Sequence, residues 1–300
     1  MLNIQRISFD SSKLLQSFEY SSLIYPSSLK FLKDLSPNTY WIVVEVRFND
    51  ELIGLCLSEI YPLSRLGQIH SIVIKSNFRK RGYGQQLFAF TEKILENEEK
   101  LQIVEIIYDQ TNPFSVALEK IISKLSWSLP KIFLIRCYFE LANFNPNWLH
   151  YSYRLASSIE LFKWQDLTID ERVYIEYLSD QGRFLSYISP FDHEGTIDLN
   201  ISIGLRLDNK IIGWNIAHDL DHSTIRYSSL YIDRDFMNLG YGIYLLAQSI
   251  NVQKELSIPY AQFEINVREI SSSWWHFVKK RLLPKAYKIE RMKQATRIFS

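Results

Sequence analysis

Cysteine is scarce in this sequence, with 2 residues in a chain of 300, and features that mark several specialised classes of protein are missing as well. Cys56 and Cys137 stand inside apolar, strand-like runs, which indicates buried thiols in a reducing compartment rather than a disulfide framework. No spacing among the Cys and His residues is typical of metal ligands, so no metal is predicted. No apolar run approaches the ~20 residues that span a membrane. The N-terminal stretch MLNIQRISFD lacks the basic and apolar regions of a signal peptide.

An excess of charge is missing too. The chain has 34 Lys and Arg against 33 Asp and Glu, for a net charge of +1, so the basic footprint of a nucleic-acid-binding protein is absent. The hydrophobic fraction of 47% suits a globular protein with a full core. The length suggests two domains. Together these features predict a cytoplasmic protein that has no nucleic-acid or membrane partner.

The most informative stretch is a strand, a glycine-bearing turn and a helix in succession. Ile69–Ile74 has the apolar character of a strand, and the turn that follows reads RKRGYG at 79–84. The next segment has the apolar spacing of an amphipathic helix, at Leu87, Phe90, Ile94 and Leu95. This order directs several backbone N–H groups, and the positive end of a helix dipole, toward a phosphate.

The composition of the turn strengthens the prediction of an anion site. The two glycines have no Cβ and allow a ligand to approach the backbone, and three cations precede and flank them. The turn is neither a Walker loop nor the dinucleotide-binding G-x-G-x-x-G, because Leu87 replaces the third glycine. The candidate ligand-binding residues of the turn are Arg79, Lys80, Arg81, Gly82, Tyr83 and Gly84.

The turn resembles the Arg/Gln-x-x-Gly-x-Gly/Ala signature of the GNAT superfamily of acetyl-CoA-dependent N-acetyltransferases. That resemblance implies that the turn binds the pyrophosphate of coenzyme A. It also implies that backbone groups of Ile72 and Ile74 pair with the pantetheine arm, and that Asn112 contacts this arm or a bound water. The implied fold is α/β (α+β), with a mixed central sheet whose fourth and fifth strands splay apart and whose faces are flanked by helices.

The second half of the sequence repeats the first. Residues 208–213 match 49–54, residues 237–242 match 79–84, and residues 263–265 match 104–106. The shifts, from 54 to 213, from 82 to 240 and from 105 to 264, are 158 or 159 residues. This constancy indicates a tandem duplication. We therefore predict two GNAT-like domains, at 1–145 and 146–300, each with the element order β-α-α-β-β-β-α-β-α-β. Lys131–Leu141 is predicted to end the first domain as one long strand or as a strand pair.

The two copies of the turn differ in charge. Met237 replaces Arg79, and the residues Met-Asn-Leu carry no cation where the first copy has Arg-Lys-Arg. Just upstream, Asp233 and Asp235 outnumber the single Arg234. Because like-signed charge opposes a bound diphosphate, the first domain is predicted to bind acetyl-CoA. The second is predicted to be degenerate or supporting, and either to line the acceptor site or to mediate dimerisation; monomer and homodimer both remain open.

Transfer of an acetyl group to an amine requires a base. GNAT enzymes often place a Glu near the start of the fourth strand, but Gln68 there cannot accept a proton. His70 lies two residues further along the same strand and has an ordinary pKa near ~6.5; packing alone is the alternative interpretation. Glu59, at the end of the third strand, is a second candidate that would act through water.

The family's general acid is often a Tyr on the helix after the fifth strand. Counting from Asn112 places Glu119 at that position, and aligning from Trp127 places Ile122 there, so neither alignment supplies a Tyr. The leading hypothesis is nevertheless an N-acetyltransferase that uses acetyl-CoA and the primary amine of a small metabolite, a polyamine-like antibiotic or a protein. A non-catalytic acyl-CoA-binding or sensing protein is the alternative, and transfer of a longer acyl chain is a third possibility.

Overall fold

The computed structural model describes residues 1–33, 35–151, 155–208, 210–268 and 270–299. In these ranges the chain forms twelve strands, named β1 to β12 in chain order, at Leu2–Ile7, Tyr40–Phe48, Glu51–Tyr61, Leu66–Ile74, Ile103–Asp109, Lys131–Glu140, Ile159–Lys163, Ile203–Leu207, Lys210–Asp219, Thr224–Ile232, Tyr260–Asn266 and Lys288–Ile298. Eight α-helices, α1 to α8, lie at Ser11–Gln16, Phe18–Ser21, Leu29–Lys33, Tyr83–Lys93, Ser115–Lys124, Ile169–Asp180, Tyr241–Glu255 and Ser272–Phe277. Asn209, in the second copy of the repeated 49–54 motif, lies outside the described ranges.

Contacts divide the chain into two compact units. The first unit is Met1–Phe133 together with Arg291–Ser300, and the second unit is Leu134–Glu290. The boundary at residue 145 remains a prediction about the sequence repeat. The boundary between the compact units differs from residue 145 because β6 pairs with β11 and β12 pairs with β5. Each of these strands therefore belongs to the sheet of the other half of the sequence.

The first unit contains a mixed sheet of six strands in the order β1-β2-β3-β4-β5-β12. Each neighbouring pair is antiparallel except β4 and β5, which are parallel. Successive side chains of a strand point to opposite faces, so Val44 packs in the core beneath α4 and α5, whereas Val43 packs beneath α1 to α3. Leu87 of α4 and Leu14 of α1 are each almost completely buried in these two cores.

The second unit repeats this plan. Its six strands have the order β7-β8-β9-β10-β11-β6, and only β10 and β11 are parallel. Ile175 of α6 packs with Trp214 on one face of the sheet, and Leu245 of α7 packs with Leu205 on the other. The predicted fold class, a splayed mixed sheet flanked by helices and present twice, is confirmed.

The predicted placement of the last strand of the first half is wrong. From Leu134 onward β6 pairs antiparallel with β11, so it belongs to the sheet of the second unit. The sheet of the first unit is completed instead by β12, whose Ile298 lies opposite Ile103 of β5. Because β6 and β12 occupy the same place in the repeat, either strand satisfies the backbone groups at the edge of β5 or β11. Local sequence therefore does not decide which strand pairs with which edge.

The strand register also corrects one anchor of the repeat. Glu105 of β5 lies opposite Gln68 of β4, and Gln262 of β11 lies opposite Arg226 of β10. Gln262 is therefore the counterpart of Glu105, two residues before the predicted Glu264. Side chains alternate between the faces of a strand, so a register shift of two residues leaves each side chain on the same face. The alternating sequence pattern is then unchanged and does not reveal the shift.

Several expectations concern the chain as a whole. Cys56 and Cys137 are buried thiols and are not joined by a disulfide. Burial raises the pKa of the Cys56 thiol to about 12, so this side chain is neutral and behaves as a small apolar group. Across the described ranges, no helix combines the length and hydropathy needed to cross a bilayer. No group of three or more His, Cys, Asp or Glu among the described residues is arranged to hold a metal ion.

Candidate active site

β4 and β5 pair at one end only. Their parallel register covers residues 66–69 of β4 and 103–106 of β5, whereas β4 continues to Ile74 and β5 to Asp109. The two strands separate beyond the paired segment, as the GNAT resemblance implies. Ile72 and Ile74 lie on the separated part of β4, which still pairs with β3 on its other side. Their predicted contact with a pantetheine arm remains a prediction.

The 79–84 loop joins β4 to α4 through two residues in the left-handed region. Lys80 has a φ of 62° and Gly82 a φ of 84°. Gly82 is the N-cap of α4, and no side chain of the described chain caps the helix there. The first N–H groups of α4 are therefore available to an anion, beside the positive end of the helix dipole.

Gly84, unlike Gly82, could carry a Cβ without a steric clash or backbone strain. A Cβ added at Gly84 would lie 3.6 Å from the side chains of Ile121 and Ile74, which is ordinary van der Waals contact. Packing within the protein does not require a glycine at this position. The missing Cβ instead allows a ligand to approach the backbone closely at the start of α4.

The cations of the loop lie at the surface, and two of them contact aromatic rings. The Arg79 Nε donates a hydrogen bond of 2.8 Å to the carbonyl oxygen of Ile74, and its guanidinium lies 4.6 Å from the centre of the Phe114 ring. The Arg81 guanidinium lies 5.7 Å from the Phe78 ring. Tyr83 also packs near Phe78, with 6.5 Å between ring centres. These contacts hold the loop against β4 while its charges face solvent.

Asn112 shapes a turn and does not begin a helix. The sequence predicts a helix from Asn112 to Trp127, but α5 begins at Ser115 and ends at Lys124. The Asn112 Oδ1 accepts a hydrogen bond of 3.0 Å from the N–H of Phe114. This turn places the Phe114 ring beneath the Arg79 guanidinium. Contact of Asn112 with an acyl carrier stays a prediction.

β4 contains a β-bulge at His70. Leu57 of β3 lies opposite Ser71, but the next residue of β3, Ser58, lies opposite Ile69, so His70 is the extra residue. The His70 Nε2 lies 2.9 Å from the Glu59 Oε2, and the two side chains are only 4% and 9% exposed. The structure thus brings together the two residues that the sequence indicates separately as base candidates.

The Glu59 carboxylate has further donors. The Thr39 hydroxyl lies 2.6 Å from its Oε1, and the Tyr61 hydroxyl lies 2.9 Å from its Oε2. Burial, followed by the hydrogen bond to Glu59 and the nearby charges of Glu59 and Glu105, raises the pKa of the Tyr61 phenol above its usual value. Tyr61 therefore remains a neutral donor. A carboxylate held by several donors is well suited to orient an imidazole.

This arrangement fixes the chemistry of His70. A neutral imidazole that donates its Nε2–H to a carboxylate has its lone pair on Nδ1. The adjacent carboxylate also stabilises the imidazolium that forms when Nδ1 accepts a proton. The Glu59–His70 pair is therefore equipped to act as a base.

Sequence reasoning missed the groups that support this pair. The ring centres of Trp41 and Phe31 lie 5.0 and 4.6 Å from that of His70, and the Ser28 hydroxyl donates to the His70 carbonyl oxygen. Tyr61 carried a usable signal, because it lies two residues after Glu59 on the same strand face. Trp41 could have been found only from the register of β2 and β3, and Phe31 only from the fold.

Polar residues form a row across the sheet at the bulge. Glu59, Gln68 and Glu105 are register neighbours on β3, β4 and β5. The counterparts in the second unit are His218, Arg226 and Gln262 on β9, β10 and β11. The first row contains two carboxylates and the second contains a cation, so the duplicated sheets differ in charge at the same place.

Glu119 and Ile122, the two candidates for the position of the family's Tyr, both lie on α5. The Glu119 side chain is the polar one of the two. Its Oε1 accepts hydrogen bonds of 2.9 Å from the Tyr108 hydroxyl and from Lys293 Nζ. Burial and the Glu119 carboxylate raise the pKa of the Tyr108 phenol above its usual value. The Tyr108 hydroxyl therefore holds its proton in a hydrogen bond to the Glu119 carboxylate.

The second copy of the loop keeps the backbone of the first. Asn238 has a φ of 65° and Gly240 a φ of 85°, and Gly240 is the N-cap of α7 without a side-chain cap. One part of the charge argument needs correction, because the Arg183 guanidinium contacts the Asp233 carboxylate at 2.8 Å and also lies 3.5 Å from Asp235. The upstream carboxylates are therefore balanced, and the absence of the three loop cations remains as the difference.

Residues 9–119 match the sequence model of the acetyltransferase (GNAT) family. The match covers the splayed strands, the loop and the Glu59–His70 pair. Over these residues the chain matches the GNAT family, and the second unit repeats the same fold. No sequence among the curated proteins gives a significant match.

Solved structures resemble this chain over its whole length. A tandem GNAT protein from the clavulanic acid biosynthesis pathway, solved without acetyl-CoA, has a TM-score of 0.65 at 11% identity, with 99% of this chain and 98% of that chain covered. A GCN5-related N-acetyltransferase from Sphaerobacter thermophilus has a TM-score of 0.61 at 13% identity, with 98% and 95% covered. A glucosamine N-acetyltransferase region of a fungal multi-domain β-N-acetylglucosaminidase has a TM-score of 0.63 at 13% identity, with 99% and 38% covered. At these identities the likeness establishes a shared tandem fold.

Proposed function

We propose that the protein is an N-acetyltransferase that transfers an acetyl group from acetyl-CoA to a primary amine, and that its first unit performs the reaction. The proposal rests on one observation. The cationic loop at the start of α4, the separated ends of β4 and β5 and the buried Glu59–His70 pair all occur in the same unit.

The loop is suited to the diphosphate of the donor. Arg79, Lys80 and Arg81 are exposed cations next to the uncapped N-terminus of α4, and a helix N-terminus favours anions through its N–H groups and its dipole. The gap between β4 and β5 offers an extended arm the backbone of Ile72 and Ile74. The second unit has the same loop backbone without these cations, which supports the first unit as the donor site.

The Glu59–His70 pair is assigned the role of general base. As the amine attacks the acetyl carbonyl, its proton passes to the His70 Nδ1 directly or through a water, the new C–N bond forms and the C–S bond breaks. Glu59 holds the Nε2–H and stabilises the imidazolium. The two carboxylates of the polar row, Glu59 and Glu105, favour an acceptor that arrives as an ammonium ion; a small molecule and a protein amine both meet this description.

A non-catalytic acyl-CoA-binding or sensing role is the second candidate, favoured by the absence of the family's Tyr and by Gln68 in place of its Glu. Donor binding is tested first, by thermal unfolding with acetyl-CoA and CoA. A ligand at 100 times its Kd adds about 2.7 kcal/mol of apparent stability. The R79A/R81A double variant should lose this gain, whereas K120A/K124A, which removes two exposed cations from α5, should keep it.

Turnover separates the two candidates. We expect release of CoA in the presence of a panel of diamines and peptide amines. H70Q should lower kcat about a hundredfold or more, as loss of a general base does, and should retain acetyl-CoA binding. Binding without turnover against the whole panel would favour the sensor, and unchanged donor affinity in R79A/R81A would refute the donor site.

A further inference from the structure

The second unit contains a serine–histidine pair that the proposed function does not use. The Ser228 Oγ lies 2.8 Å from the Nδ1 of His218, and a longer separation of 3.4 Å joins this Oγ to the carbonyl oxygen of Ile216. His218 is 2% exposed, whereas Ser228 is only partly buried. A hydroxyl held against a buried imidazole is the elementary arrangement of an activated nucleophile.

The fold places this pair where the first unit has its own. Tyr227 of β10 lies opposite Ala217, but Ser229 lies opposite Ile216, so Ser228 is the extra residue of a β-bulge. The corresponding bulge residue of β4 is His70. Both bulges direct one polar side chain toward the neighbouring strand, where the first unit presents Glu59 and the second presents His218.

The tautomer of His218 follows from its second contact. Its Nε2 lies 2.9 Å from the backbone carbonyl oxygen of Asp192, and a carbonyl oxygen only accepts. Nε2 therefore carries the proton, and Nδ1 presents its lone pair to the Ser228 hydroxyl. Burial lowers the pKa of His218, with a smaller effect in the same direction from the nearby Arg226, so the imidazole remains neutral and able to accept a proton.

The polar groups around Ser228 differ from those around a serine with a purely structural role, such as its neighbour Ser229. Ser229 is buried, accepts from the Trp214 indole N–H at 2.8 Å and donates to the Ile188 carbonyl oxygen at 2.6 Å, so its role is structural. Arg226 is the register partner of His218, and its buried Nε has no hydrogen-bond partner among the described residues. A guanidinium donor near the His218 imidazole is suited to a carbonyl oxygen on which negative charge develops.

We propose that the second unit contains an independent acyl-accepting site, in which Ser228 is the nucleophile, His218 is its base and Arg226 supports the oxyanion. The ligand class is a reactive acyl ester or thioester. The site does not depend on acetyl transfer by the first unit.

The proposed step is transfer of an acyl group to the Ser228 hydroxyl. The Ser228 Oγ attacks the acyl carbonyl carbon and its proton passes to the His218 Nδ1. Collapse of the tetrahedral intermediate breaks the bond to the leaving oxygen or sulfur, which takes the proton back from the imidazolium. The products are an O-acyl serine and a free alcohol or thiol, and no oxidant or metal is consumed.

The test uses p-nitrophenyl acetate and the full chain. We expect a burst of one equivalent of p-nitrophenol per chain and one acetyl group, located by peptide mass spectrometry on Ser228. S228A should lose the burst. H218Q should slow it about a hundredfold or more, the effect of removing a general base. S272A, which removes an exposed hydroxyl of the same unit, should leave it unchanged.

Peptide mapping of the parent chain after its reaction with the ester locates the acetyl group directly. This measurement tests the proposal even if S228A folds poorly. Acetylation that maps only to lysines, or that proceeds equally in S228A and the parent chain, would overturn the proposal. So would the absence of any burst at ester concentrations that label surface amines.

Discussion

At the scale of residues, two of the buried carboxylates of the first unit have different surroundings. Glu59 is held by hydroxyls and by the His70 imidazole, whereas Glu45, which is 2% exposed, is held by Arg47, Gln5 and Tyr20 at 2.8 to 2.9 Å. The arginine makes Glu45 part of an ion pair that stabilises the fold. The imidazole makes Glu59 part of a pair that can exchange a proton.

Glu45 is expected to make the stability of the first unit depend on pH. Burial alone raises its pKa, but hydrogen bonds from Arg47, Gln5 and Tyr20 outweigh this effect and hold the pKa below its usual 4.5. The stability contributed by a lowered carboxyl pKa is present above the unfolded-state pKa and is lost as pH falls through the folded-state pKa. E45Q should therefore cost about 1–3 kcal/mol near neutral pH.

Urea unfolding of E45Q and the parent chain from pH 7 to pH 3 measures this difference. It should be largest near neutral pH and should shrink below about pH 4.5. E51Q, which alters an exposed carboxylate paired with Lys75, serves as the control, and its effect should stay within a few tenths of a kcal/mol. A difference for E45Q that does not change with pH would contradict the assignment.

At the scale of elements, the two glycines of each loop have separate functions. Gly82 and Gly240 have positive φ and cap α4 and α7, whereas a Cβ at Gly84 or Gly242 would make only ordinary van der Waals contacts, at 3.6 Å or more. G82A and G240A should each destabilise their unit by about 1–2 kcal/mol because a Cβ is strained in the left-handed region. G84A and G242A should be nearly neutral. Equal losses at both positions of a loop, measured by urea unfolding, would refute this division.

The identical loop backbones lead to a gain-of-function prediction. Met237 and Leu239 are 50% and 61% exposed, so arginine at both positions should fold without burying charge. M237R/L239R should raise the number of acetyl-CoA molecules bound per chain from one to two in isothermal titration. M237Q/L239Q serves as the uncharged control and should remain at one. A stoichiometry of one in the arginine variant would mean that the loop cations are not what separates the two units.

At the scale of the whole molecule, each sheet takes its sixth strand from the other half of the sequence. The first unit needs residues 291–298 of β12, and the second needs residues 134–140 of β6. A fragment cut at the predicted boundary, residues 1–145, keeps β6 and lacks β12. It therefore has β5 without its antiparallel partner.

We expect the 1–145 fragment to aggregate or to form dimers, since an unpaired strand edge is a template for association. Residues 1–133 joined by a flexible linker to residues 291–300 should instead give a soluble monomer. Size-exclusion chromatography with light scattering compares the two. A monomeric, cooperatively folded 1–145 fragment would show that β6 can replace β12 in the first sheet.

The sequence by itself determined what depends on local pattern. The loop signature, the strand-turn-helix order, the duplication and the candidates His70 and Glu59 were readable because backbone conformation and face alternation follow from nearby residues. Gly82 is an example, since the left-handed conformation that it adopts favours glycine.

Only the tertiary structure decided what depends on pairing. The bulges at His70 and Ser228, the exchange of β6 and β12, and the two-residue shift that makes Gln262 the counterpart of Glu105 each depend on which strand lies opposite which. Strand pairing joins residues distant in sequence through backbone groups that every residue shares, so side-chain identity constrains it weakly. For this reason the sequence supplied the members of the Glu59–His70 pair, and the fold supplied the 2.9 Å contact that makes them a pair.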